Sequence, residues 1–186
     1  MFLLNGWSKK TIVATLATCV GVIISGVIFC LISNLLNISG FNLDEAESLI
    51  LIAQNTGLKI RDILFSGILI SSLGAVMDVA MSIASSIYEI NELNSELDMK
   101  TIFKSGINIG RDMIGTMSNT LILAFAGTSL STMLALYSYN TQFNQLMSSD
   151  FIAIEFAQSI SGSIGIILAV PITSFISSYV YKRKIR

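Results

Sequence analysis

TIVATLATCVGVIISGVIFCLISNLL, residues 11–36, carries no charged side chain from end to end. As a helix rising 1.5 Å per residue it would reach about 39 Å, more than the roughly 30 Å of hydrocarbon in a bilayer. Gly21, Ser25 and Gly26 give it a patch of small residues on which another helix could sit closely. Lys9 and Lys10 precede the run, yet it is too long for a cleavable signal and is followed by others like it. Three more such stretches follow, at about 63–88, 107–130 and 151–181. Of the 186 residues 53% are hydrophobic and only 12% are charged, against about 25% charged in soluble domains. So few charges cannot cover a water-soluble surface. The expectation is an all-α, polytopic bundle of four transmembrane spans within one transmembrane domain, 1–186.

Between the first two spans, NLDEAESLILIAQN (42–55) reads as a short amphipathic helix over about 43–55. Asn42 or Asp44 suits its cap, and Asp44, Glu45 and Glu47 suit its positive N-terminus. Ala46, Leu49, Ile50 and Ala53 share one face, so it should lie on the membrane surface. Glu89–Lys104 is the most polar part of the chain, and YSYNTQFNQLMSSD (137–150) is a loop without Lys or Arg. Basic residues then set orientation. Lys9, Lys10, Lys100, Lys104, Arg111, Lys182, Arg183, Lys184 and Arg186 fall on one side, and only Lys59 and Arg61 on the other. Both termini are expected in the cytoplasm.

Several chemistries are disfavoured. The net charge is −1, which offers no basic field to nucleic acid. The chain has no histidine, which removes His triads and imidazole metal sites. Cys19 and Cys30, about 16 Å apart along one helix, cannot bridge each other and read as packing residues. There is no HExxH motif, no paired aspartates on facing spans and no nucleophile with an evident base. No catalytic residue, metal site or cofactor is expected.

What the sequence does offer is polar stripes at membrane depth. At 100° per residue Ser71, Gly74, Asp78, Ser82, Ser85 and Glu89 fall within about 40° of one line. In the third span Ser105, Asn108, Asp112, Thr116 and Asn119 do the same, with Arg111 beside them. A mid-span carboxylate costs several kcal/mol unless paired or hydrated, so Asp78 is the candidate proton or ion relay. Ser71, Ser82, Ser85, Asn108, Arg111, Asp112, Thr116 and Asn119 form its supporting stripe. Since neither stripe suits lipid, the two are expected to face each other or to line water, with Asn119, then Thr116, then a water as partners of Asp78. The plainer alternatives are helix adhesion by the hydroxyls, a structural bond from Asp78 to Asn119 or Arg111, and a snorkelling or ion-paired Arg111. Glu155, near the start of the fourth span, is expected to be solvated, and SISGSIG and TSFISS in that span signal tight packing.

GILISSLGAVMDVAMSIASSIYEI (67–90), SGINIGRDMIGTMSNTLILAFAG (105–127) and GSIGIILAVPITSFISSYVYKR (162–183) resemble the YibE/F-like family of bacterial multi-pass membrane proteins. FNLDEAESLILIAQNTGLKIRDILFSG (41–67) fits the same pattern, so the likeness runs from about Gly6 onward. It implies a bacterial cell-membrane location, and it implies further helices ahead of a C-terminal portion such as this one. Four helices are few to enclose a pathway, so a homo- or hetero-oligomer with another YibE/F-like protein in the bilayer is expected. More distantly, the order of a glycine-bearing approach, mid-span Asp, basic loop, polar third helix and Pro-containing last helix is similar to one half of RND-type permeases and of Sec accessory secretion proteins. That likeness implies a proton-relay role at Asp78. The expected function is thus transport-type, possession of a proton-coupled path included; the alternative is a non-conducting structural or assembly subunit.

Overall fold

The computed structural model describes residues 6–35, 60–138, 144 and 150–182. Four long helices account for nearly all of them: α1 (Lys9–Leu35), α2 (Ile60–Leu93), α3 (Met99–Ser138) and α4 (Asp150–Lys182). There is no strand among the described residues. Each helix holds a segment long and apolar enough to cross a membrane. The expected surface helix at about 43–55 lies outside the described residues, as does most of the loop at 137–150.

Local chemistry starts and joins these helices. Gly6 adopts the left-handed backbone at φ 63°, and two residues later Ser8 caps α1. Its Oγ accepts from the Thr11 N–H at 3.3 Å and its carbonyl from the Ile12 N–H at 3.1 Å. The polar stretch Glu89–Lys104 is helical on both sides of a tight turn at 94–98. There Asn94 Oδ1 accepts the Glu96 N–H at 3.0 Å, an Asx turn that lets α3 run back along α2.

The helices alternate up and down, with α4 against all three others. Small residues set these contacts. Gly21 of α1 faces Val76 of α2 and Ala169 of α4, and Gly165 of α4 lies against Ser25 of α1. Gly106 and Gly110 of α3 lie against Ile87 and Ile83 of α2 and against Ser174 and Val170 of α4. A glycine removes the side chain from the closest point of approach, so dispersion contacts extend to the backbone. Val76, Val79, Ile83 and Ile87 from α2 complete the core with Ile166, Ala169 and Val170 from α4. Gly21, Ser25 and Gly26 are all buried, as the small-residue patch on the first span leads one to expect.

Candidate functional site

The site is built from α2 and α3, and depth is its first coordinate. Lys10 Nζ stands 5.5 Å from the centre of the Tyr88 ring, and the Tyr88 and Tyr181 rings meet at 6.0 Å between centroids, tilted by 55°. Lys182 Nζ donates to the Ser95 carbonyl at 2.9 Å. These contacts gather the start of α1, the 94–98 turn and the end of α4 at one end of the bundle. They also fix where the apolar run of α1 begins relative to the other helices. Asp78 is ten residues from Tyr88 along α2, about 15 Å deep, which is half of a roughly 30 Å hydrocarbon layer. Asn119 is thirteen residues beyond Gly106, about 20 Å deep, whereas Arg111 and Asp112 lie only about 8 Å in.

The second coordinate is the face. α2 and α3 do pack side by side, through Ile83 and Ile87 on Gly110 and Gly106. The stripes, however, do not meet across that contact. Asp78 and Ser71 are exposed, Ser82 and Ser85 are half-buried, and Asn108, Arg111, Asp112, Thr116 and Asn119 are all exposed. This corrects the expectation that Asp78 turns toward Asn119 and Thr116 inside the chain. Helical geometry supplies the reason. Ile83 and Ile87 lie about 140° and 180° around α2 from Asp78, and Gly106 and Gly110 about 160° from Asn108 on α3. The faces able to approach closely are therefore opposite the polar ones. Close packing took the glycine and isoleucine faces inward and left both stripes on the outside of the bundle.

Several buried hydroxyls bond within their own helix, as Ser71 and Ser105 of the stripes also do. Thr18, Ser161, Thr173 and Ser174 are buried, and each donates to the carbonyl four residues earlier in its own helix at 2.6–2.8 Å. Such bonds satisfy the hydroxyl without joining two helices. The small groups thereby act as packing surface, in line with the dense Ser and Gly content of the fourth span. Glu155 is a second correction. It is half-buried between α3 and α4, not solvated, and its Oε2 is buried without a hydrogen-bond partner among the described residues. Nothing in the spacing around Glu155 signalled this; only the approach of α3 encloses it. Among the described residues no group of His, Cys, Asp and Glu could hold a metal ion.

The composite surface is thus an outward polar face on α2 and α3, reaching from the end that holds both described termini to mid-membrane depth. It can present a carboxylate, amides and hydroxyls to something alongside it, and among the described residues it faces outward and encloses no path. A family model described as YibE/F-like protein matches residues 1–183. No curated protein and no solved structure matches the chain.

Proposed function

The chain belongs to the YibE/F-like family, and we propose that it serves as a transport-type membrane subunit whose ion path forms only when partner helices cover the face of α2 and α3. The observation that carries this reading is the exposed Asp78, about 15 Å deep by the measure of α1. A carboxylate at that depth costs several kcal/mol against lipid, which favours a protein or water neighbour. Covered by a second YibE/F-like protein, or by another copy of this one, Asp78 would sit in a seam with Ser82, Thr116 and Asn119. Asp78 would then exchange a proton or cation as the seam opens to either side. Arg111 and Asp112, nearer the end, would set the charge of its mouth. The similarity in element order to half of an RND-type permease supports the same role. The location that goes with it is the bacterial cell membrane with both termini in the cytoplasm, as the distribution of basic residues favours.

A second reading draws on the same outward face. If partner helices cover the stripes dry, with every polar group bonded across the interface, the chain is a non-conducting assembly subunit. Proteoliposomes holding the chain with its copurifying membrane partner, under an imposed pH gradient and with a pH-sensitive dye inside, separate the two. The transport reading expects proton flux that Asp78→Asn, equal in shape but unable to titrate, lowers to the protein-free rate while assembly survives. Unchanged flux in Asp78→Asn contradicts the relay at Asp78, and wild-type flux no faster than the protein-free rate leaves the assembly reading.

A further inference from the structure

Beyond the end of the α3 stripe, a cavity of about 460 Å³ opens between α3 and α4, well within the size of small-molecule pockets. Its walls are apolar, with Ile122 and Ala126 from α3 and Phe156 and Ile160 from α4. Among the described residues that line it, Glu155 is the one that carries a charge. The Glu155 carboxylate lies against the Ser129 hydroxyl, while its second oxygen, Oε2, is buried with no hydrogen bond among the described residues. Ser163 Oγ, also on the lining, is buried and unbonded in the same way. Ser129 in turn donates its hydroxyl to the Phe125 carbonyl at 2.7 Å, so it has no second proton for the carboxylate.

An apolar cavity with one under-bonded acid selects a particular chemistry. An acyl chain would fill the walls yet leave the carboxylate unpaired, and a small hydrated cation would pair with the acid yet leave the walls empty. A hydrophobic body carrying a single positive charge satisfies both, and in a low-dielectric site the attraction between the two charges is much stronger than in water. We propose that the α3–α4 cavity binds a lipophilic organic monocation, with Glu155 as its counter-ion and Phe156 and Ile160 packing its apolar body. The inference is independent of the role of Asp78.

The test uses the full chain in nanodiscs of zwitterionic lipid and the probe tetraphenylphosphonium, followed by equilibrium dialysis. The wild type should bind the probe saturably. Glu155→Gln should weaken binding at least about tenfold, equivalent to 1.4 kcal/mol. Ile160→Trp, which fills the cavity from an exposed position and leaves the acid in place, should weaken it as well. The neutral, similarly shaped triphenylphosphine oxide should bind the wild type and Glu155→Gln alike, and Asp78→Asn should bind the cation like the wild type. Absence of saturable binding to the wild type overturns the inference. So does equal binding of the cation by the wild type and a Glu155→Gln protein of unchanged helical content.

Discussion

Two outward faces of the bundle are both exposed and are chemically opposite. On α1, Ile12, Leu16, Val20, Ile23, Val27 and Leu31 recur at intervals of three or four residues, each 40–63% exposed. That is an unbroken apolar stripe, with Cys19 beside it. On α3 the corresponding outward side presents Asn108, Arg111, Asp112, Thr116 and Asn119, and on α2 it presents Ser71 and Asp78. Hydrocarbon can solvate the first face completely and the second only at a cost of several kcal/mol for Asp78 alone. Exposure in the isolated chain therefore means different things on the two sides. On α1 it marks an apolar face that lipid can cover, and on α2 and α3 it marks a polar face for which protein or water is the favourable neighbour.

The largest expected effect comes from moving the chemistry of one face onto the other. Val20→Asp places a carboxylate on the lipid stripe at about the depth of Asp78, with no partner to cover it. It should cost about 2.5–3.5 kcal/mol of insertion free energy, read as loss of membrane integration in a glycosylation-mapping assay. An unaffected Val20→Asp protein would mean that the α1 face is not against lipid.

A smaller effect is expected on the inward side of α3, which shares a helix with the polar face and behaves oppositely. A Cβ at Gly110 would run into the Val170 side chain and come within 3.0 Å of Ile83 Cδ1. Gly110→Leu should therefore destabilise the bundle by about 1–3 kcal/mol through overpacking, measured by steric-trap unfolding in bicelles. Gly115, only five residues on, has nothing within 4 Å of its Cβ position and is exposed. Gly115→Leu should leave the fold of the single chain within about 0.5 kcal/mol of wild type. It should still weaken association with the partner about tenfold, or 1.4 kcal/mol, in a dilution experiment monitored by energy transfer. Equal loss of fold in both variants would erase the distinction between the two sides of α3.

The difference between these faces also separates what could be read in the sequence from what could not. The four spans are legible because an uncharged run such as residues 11–36 has no other stable home, and Gly21, Ser25 and Gly26 were readable as a packing patch because bulk is excluded there. The existence of both polar stripes follows from 100° periodicity. Their direction does not. Periodicity places Asp78 and Ile83 on opposite sides of α2 but leaves open which side meets α3. That choice is made by the fit of Gly106 and Gly110 to Ile87, Ile83, Ser174 and Val170, a match among three helices that are distant in sequence. The requirement that polar groups avoid lipid can be met by a neighbouring protein as well as by the chain's own helices, so it does not decide which face turns inward. Glu155 was unreadable for a related reason, because its enclosure depends on α3 passing beside it.

The central claim is that protein or a water-filled seam, and not lipid, adjoins the face of α2 and α3 in the membrane. Spin labels at Ile23→Cys and Asn119→Cys test it directly, each in a chain whose native thiols are removed by Cys19→Ala and Cys30→Ala. Both sites lie about 20 Å deep by the same measure, so depth cannot account for a difference between them. The chain is reconstituted with its copurifying partner, and collision with dissolved oxygen, which concentrates in hydrocarbon, is measured at each label. The account predicts free collision at position 23 and severalfold less at position 119. Equal oxygen accessibility at the two positions would contradict it.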